Sequence, residues 1–298
     1  MEKSHHRMIR WSIVAFIALN AVLFFIFITI QPPVPDAPQK NEVPVITQEQ
    51  PTSTSPTIPF EALPTSTPEV LSKYIEVTDG CDSHFGGECL RVRSGPGTDF
   101  PTVAKLRNGM VLKVANVVEI EGRKWYQVVF DEWLRYPERI TSDWFVVADY
   151  VTEIEIAEEH GTTTSEAEVS ETTPKRIIVD RSEQQLRAYE GSTLFFEAPI
   201  STGLDLTPTP RGTFRVFKKL PSRYMQGPLP YLVDQQEYDL PGVPWNLYFT
   251  EQGAVIHGAY WHTNFGKQHS HGCVNLSPPN AQKLYTWADL GTEIIVRD

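Results

Sequence analysis

The sequence predicts a mainly β protein with two folded domains behind a long N-terminal extension. Three observations predict it. From about residue 71, short β-branched and apolar runs recur between Gly, Pro and Asn turn signals, the pattern of strands rather than helices. Two stretches, 31–70 and 153–174, hold too few apolar residues to build a core and so divide the chain. Clear helix-opening chemistry occurs near the end of the chain, where Ser277 precedes Pro278. The expectation is a small β-barrel, then a β-rich domain with one or two short helices.

The N-terminus bears on compartment. Residues 1–10 carry Lys3, Arg7 and Arg10, and residues 11–30 read WSIVAFIALNAVLFFIFITI without a charge. A run of roughly 20 apolar residues spans about 30 Å of hydrocarbon as a helix. Basic residues before it and none clustered after it place the start in the cytoplasm and the remainder outside. The competing reading is a cleaved signal peptide, whose apolar core is shorter and ends at small residues. Residues 31–70 are rich in Pro, Thr and Ser and predict an extended spacer; at about 3.1 Å per residue its reach is on the order of 100 Å. The net charge of −11 excludes a basic face for nucleic acid.

Residues 71–152 predict the barrel. LRVRSGPGTDF alternates and then turns, Asn108-Gly109 and Gly122 mark two further turns, and KWYQVVF and DWFVVADYV supply more strands. The order Leu90-Arg91-Val92-Arg93-Ser94-Gly95-Pro96-Gly97, Gly109, Trp125-Tyr126-Gln127-Val128, Trp144-Phe145-Val146 resembles bacterial SH3-like domains. That resemblance implies a module that binds peptidoglycan or only spaces the next domain. The segment 131–143 (DEWLRYPERITSD) is an insertion relative to the compact pattern. Cys81 and Cys89 are close in sequence, and outside the cytoplasm a bridge is expected; a metal site with His84 is the alternative. Seven glutamates between 153 and 174, with no Lys or Arg among them, predict an acidic linker.

Residues 175–298 predict the second domain. RIIVD and QLRAYE form a hairpin, LFFEAPIST and GTFRVFKKL are strands, and PWNLYFT and AVIHG flank a turn at Glu251-Gln252-Gly253. A helix follows Ser277 and a last strand follows Gly291. The Pro-rich segment 221–244 predicts a cap over a site, the usual role of a long loop in an enzyme.

Chemistry concentrates in residues 254–276, AVIHGAYWHTNFGKQHSHGCVNL, which hold four of the eight histidines and the unpaired Cys273. An unpaired thiol outside the cell fits a nucleophile activated by a base. His257 ends a predicted strand; if the chain returns to a neighbouring strand, Cys273 meets it. Gly258 and Gly272 permit close backbone approach, and the N–H groups around Gly272 suit an oxyanion. His271 lies two residues before the thiol and shares its face in an extended chain. Tyr260 and Trp261 are candidate cleft walls, and Ser270 and Asn275 candidates for holding the local backbone. Arg211 is a candidate for a substrate carboxylate. The alternative is a zinc site built from His257, His262, His269, His271 and Cys273.

Ile256-His257-Gly258 followed by Ser270-His271-Gly272-Cys273-Val274-Asn275-Leu276, with Thr209-Pro210-Arg211-Gly212-Thr213-Phe214 upstream, strongly resembles YkuD-type L,D-transpeptidases. The resemblance implies Cys273 as nucleophile, His257 as base and acid, and a backbone carbonyl orienting the imidazole. It implies peptidoglycan tetrapeptide stems as substrates, a thioacyl-enzyme and 3→3 cross-links, with inhibition by carbapenems and no cofactor or metal. Relatives of that family instead cleave with water as L,D-carboxypeptidases or attach proteins to the wall. A wall-binding protein without catalysis is the reading from a different class.

Overall fold

The computed structural model describes residues 71–130, 132–157, 173–228 and 237–298. Residues 11–30 and the 31–70 spacer lie outside them. Among the described residues no helix is long and apolar enough to cross a membrane.

The N-terminal module has seven strands: β1 (Leu71–Val77), β2 (Leu90–Arg93), β3 (Thr102–Leu106), β4 (Val111–Ile120), β5 (Arg123–Val129), β6 (Trp144–Val147) and β7 (Val151–Ala157). They form one antiparallel sheet in the order β3-β2-β6-β5-β4-β1-β7. The β4–β5 hairpin turns on Glu121-Gly122, both at positive φ (53° and 73°), the two-residue geometry that matches strand twist. Alternation buries Ile75, Val77, Val92, Leu112, Tyr126 and Val146 on one face. Cys81 and Cys89 are bridged.

The boundary expected at residue 152 moves. β7 runs to Ala157 and pairs with β1 along its whole length, so residues 153–157 are strand and not linker. The glutamates concealed a period-two pattern: Ile154 and Ile156 pack inward against the second domain while Glu153 and Glu155 point out. Glu153 accepts hydrogen bonds from Lys73 (2.8 Å), Lys124 and Tyr126, and these hold its carboxyl down at about 2.

The second domain has two sheets. β8 (Lys175–Asp180), β9 (Gln185–Glu190), β10 (Thr193–Pro199), β11 (Gly212–Arg215) and β16 (Glu293–Arg297) give the order β10-β9-β8-β16-β11. β12 (Lys218–Pro228), β13 (Glu237–Tyr248), β14 (Val255–Gly258) and β15 (Val274–Leu276) give the second sheet in chain order. The helix α1 (Pro278–Trp287) packs on β13 and β14 through Ala281, Leu284 and Tyr285. Ser277 stands at its N-cap in extended conformation, but its side chain makes no capping bond; Pro278 at the first helical position has no N–H to satisfy.

The Pro-rich segment 221–244 is largely a hairpin, β12 and β13, rather than an irregular cap; residues 229–236 lie outside the described ones. A bulge at Tyr224, between the pairs Arg223↔Val243 and Met225↔Leu240, sends Tyr224 against Phe130 and Trp144. The 131–143 insertion lies on this hairpin. The carboxylate of Glu132 accepts the Tyr224 N–H, Tyr136 N–H donates to Gln226 (3.0 Å), Tyr136 O–H donates to Glu237 (2.9 Å), and Arg139 pairs with Glu237 and Asp239.

The two modules share their cores. Tyr74 and Val111 are buried among the apolar side chains of the second domain, and Met225, Val243 and Tyr260 among those of the first. Cutting the modules apart would expose each of these at about 2 kcal/mol per side chain. A fragment of residues 173–298 alone is therefore expected to melt well below residues 71–298 and to be rapidly proteolysed. Equal melting temperatures for the two would contradict the shared core.

Candidate active site

The site grows from one parallel strand pair. β14 and β15 align Ile256 with Val274, His257 with Asn275 and Gly258 with Leu276. Parallel pairing needs a crossover, and residues 259–273 supply it. Cys273 immediately precedes β15, so alternation puts it on the Asn275 side of the strand, the face that His257 shares across the pair. A Cβ on Gly258 would lie 2.8 Å from Pro244 and 3.1 Å from the Pro278 backbone, so only glycine lets the hairpin and α1 close around the base.

Residues after β10 fix the crossover. Ser201 and Asn275 exchange backbone hydrogen bonds (3.0 and 2.9 Å), and Thr202 O accepts from the N–H groups of His269 and Ser270, both at 3.0 Å. Ser270 then organises the thiol's turn: its hydroxyl donates to Cys273 O (2.5 Å) and accepts from Gly272 N–H (3.2 Å). Gly272 takes φ 119°, a conformation that disfavours any side chain. Thr209, in the Thr-Pro-x-Gly element, also donates to Cys273 O (3.3 Å) and accepts from Gly203 N–H (2.9 Å).

His257 is buried, with its Nδ1 3.0 Å from Gly258 O. That contact requires Nδ1–H and leaves the Nε2 lone pair available as a base. Trp261 lies beside its ring at 5.6 Å between centroids. Burial lowers the imidazole to about 4, so it is neutral at physiological pH. Cys273 is the unpaired cysteine. Burial pushes its thiol above the ordinary value, while the Val255 N–H and the Arg223 cation pull it back. The sulfur lies 3.9 Å from Gly253 O. The resting pair is thus neutral thiol and neutral imidazole.

Several expected roles are corrected. Tyr260 is not a cleft wall: it is 3% exposed, donates its O–H to Pro241 O (2.6 Å) and packs with the N-terminal module. Arg211 is not at the site: it pairs with Asp298 at the surface, its guanidinium Nε 2.9 Å from Oδ1. The Gly272 N–H is committed to Ser270 rather than free for an oxyanion. The buried Asn275 side chain holds His262, Nδ2 to Nε2 at 2.9 Å, while its backbone fixes the crossover. His271 is exposed beside the thiol, and Trp261 is half-buried. Among the described residues no group of three or more His, Cys, Asp or Glu is arranged to hold a metal.

Three side chains on the hairpin were not singled out by sequence: Arg223, Tyr238 and Tyr248. Arg223 lies close enough to act on both His257 and Cys273, and both tyrosines lie within electrostatic reach of a Cys273 thiolate. No periodicity or motif marks Arg223; only its place in the expected cap hinted at a role.

Residues 174–296 match the family model described as the L,D-transpeptidase catalytic domain. Over those residues the chain is similar to the catalytic domain of L,D-transpeptidases. The chain is 29% identical over 129 residues to the YkuD protein of Bacillus licheniformis, covering 42% of this chain and 67% of that protein. It is 34% identical over 102 residues to L,D-transpeptidase 2 of Mycobacterium tuberculosis, covering 29% of this chain and 22% of that one. Among solved structures, an L,D-transpeptidase from Mycobacterium smegmatis overlaps 61% of this chain and 98% of its own, with 22% identity and a TM-score of 0.40. The likeness to L,D-transpeptidases is carried by the sequence matches.

His262 is also buried and lowered to about 4. An unfolded histidine titrates near 6.5, so between pH 6.5 and 4 the unfolded chain binds protons that the native His257 and His262 refuse. Stability is therefore full above pH 6.5 and falls as pH drops towards 4, by on the order of 3 kcal/mol for each histidine. The melting temperature should decline across that window, and His262→Gln should flatten the decline. A pH-independent melting temperature would contradict the burial of both rings. Tyr260→Phe, which removes one buried hydrogen bond, should cost about 1 kcal/mol of stability and leave kcat within about twofold.

Proposed function

We propose that the protein is a membrane-anchored peptidoglycan L,D-transpeptidase that works outside the cytoplasm through a Cys273 thioacyl-enzyme. The observation that carries this reading is the paired strand geometry of His257 and Cys273 within the transpeptidase domain, with Nε2 of His257 left as the acceptor.

The reaction follows from that arrangement. The thiol proton passes to Nε2 as sulfur attacks the carbonyl carbon between the third and fourth residues of a tetrapeptide stem. Neutral partners suit this: a base lowered to about 4 is fully available at pH 7, and proton transfer at the moment of attack avoids a standing buried ion pair. The tetrahedral intermediate collapses, the C–N bond breaks, and the imidazolium returns its proton to the departing D-Ala amine. An amine on a second stem then takes the acyl group, giving the 3→3 link and restoring the thiol. Ser270 and Thr209 keep the Cys273 carbonyl fixed throughout.

Placement rests on other features. The uncharged run 11–30 behind Lys3, Arg7 and Arg10 suits a single span with the N-terminus inside. The Cys81–Cys89 bridge suits an oxidising compartment. We assign the SH3-like character of residues 71–152 on the motif order of that module.

The test is mass spectrometry of the chain with a carbapenem and with a disaccharide-tetrapeptide. The wild type should gain a covalent adduct on Cys273, release D-Ala and form a stem dimer. Cys273→Ala should lose all three, and His257→Ala should acylate at least about 100-fold more slowly. Tripeptide without dimer would indicate hydrolysis as the second step. Normal turnover by Cys273→Ala would overturn the assignment.

A further inference from the structure

Arg223 bears electrostatically on both His257 and Cys273, and the mechanism above gives it no task. It stands on β12 opposite Val243, just before the Tyr224 bulge, and is half-buried. Its guanidinium lies over the Tyr248 ring, 5.4 Å from the centroid. Tyr248 pairs directly with Val255 across β13 and β14, and the Val255 N–H reaches the Cys273 sulfur. The β13–β14–β15 registers thus place Tyr248 two strands from Cys273, and the Arg223 side chain reaches that ring from the hairpin.

Several other arginines are paired with carboxylates, Arg123 with Asp149, Arg139 with Glu237, Arg187 with Glu183 and Glu197, and Arg211 with Asp298, while Arg93 and Arg215 donate to backbone carbonyls. None of the ion pairs found among the described residues includes Arg223. Glu132, which bears electrostatically on the neighbouring Tyr248, is bound to the Tyr224 N–H. A partly desolvated guanidinium oriented by a tyrosine and left without an anion is a receptor for one.

We propose that Arg223 receives the α-carboxylate of the amino acid that leaves, and so selects donor stems that end at the fourth residue. The inference rests on the transpeptidase reading. In that reaction the leaving amine and the terminal carboxylate belong to the same residue, one carbon apart, so a carboxylate held by Arg223 places the scissile carbonyl over the sulfur. A longer stem puts an amide where the carboxylate would be and loses the charge-assisted contact. Arg223 is thereby a specificity-determining residue of the donor site.

The test uses the full-length chain with two donors, a disaccharide-tetrapeptide with a free C-terminal carboxylate and the same compound as its C-terminal carboxamide, following release of D-Ala or D-alaninamide. The wild type should favour the carboxylate by at least about tenfold in kcat/KM. Arg223→Gln should abolish that preference, with the loss confined to the carboxylate donor and expressed mainly in KM, and Arg223→Lys should retain part of it. The preference is a ratio measured on one preparation, so incomplete folding of a variant does not alter it. Equal loss on both donors, or a preference that survives in Arg223→Gln, would overturn the proposal while leaving the transpeptidase reading intact. Release from neither donor by the wild type would overturn both.

Discussion

The β12–β13 hairpin is the constraint on which the rest depends. One of its strands continues through β13 into the pairing that carries His257, and its side chains Met225 and Val243 are buried in the core of the N-terminal module. The same hairpin brings Arg223, Tyr238 and Tyr248 to the thiol. A long two-stranded ribbon is marginal by itself. Here the 131–143 insertion grips it near its far end through Glu132, Tyr136 and Arg139. Exposed ion pairs of this kind contribute little singly. Their value lies in fixing register and angle where burial already supplies the stability.

Around the thiol, rigidity comes from backbone and hydroxyl groups rather than from charge. Two hydroxyls converge on the Cys273 carbonyl, and a third residue, Asn275, exchanges backbone bonds with Ser201 while its side chain secures His262. The nucleophile is therefore held by its main chain, leaving the sulfur's protonation to burial and to the few dipoles aimed at it. The base is treated the same way, pinned by the carbonyl of the next residue.

Much of this was legible in sequence, for stated reasons. Strands and turns of the second domain follow from alternation and from Gly and Pro positions, and the His257–Cys273 pair follows from motif order and the solitary thiol. The boundary at residue 152 failed because glutamate density masks the Ile154–Ile156 alternation. Tyr260 was misplaced because an aromatic in a catalytic loop reads the same whether it faces substrate or a neighbouring module; only packing tells them apart. Arg211 was misplaced because its partner Asp298 lies 87 positions away. Arg223 was missed because its relevance depends on a side-chain contact with Tyr248 and on two strand registers beyond it, none of which is written locally.

The reciprocal burial of Tyr74 and Val111 in one module and of Met225, Val243 and Tyr260 in the other bears on how such a protein can change over generations. Modules strung on linkers can be exchanged by recombination, each arriving complete. These two cannot, because a substituted N-terminal partner would arrive with the wrong shape for the catalytic core and leave it open. Divergence must then proceed by matched, residue-by-residue change on both sides of the seam, and the two halves descend as one heritable unit.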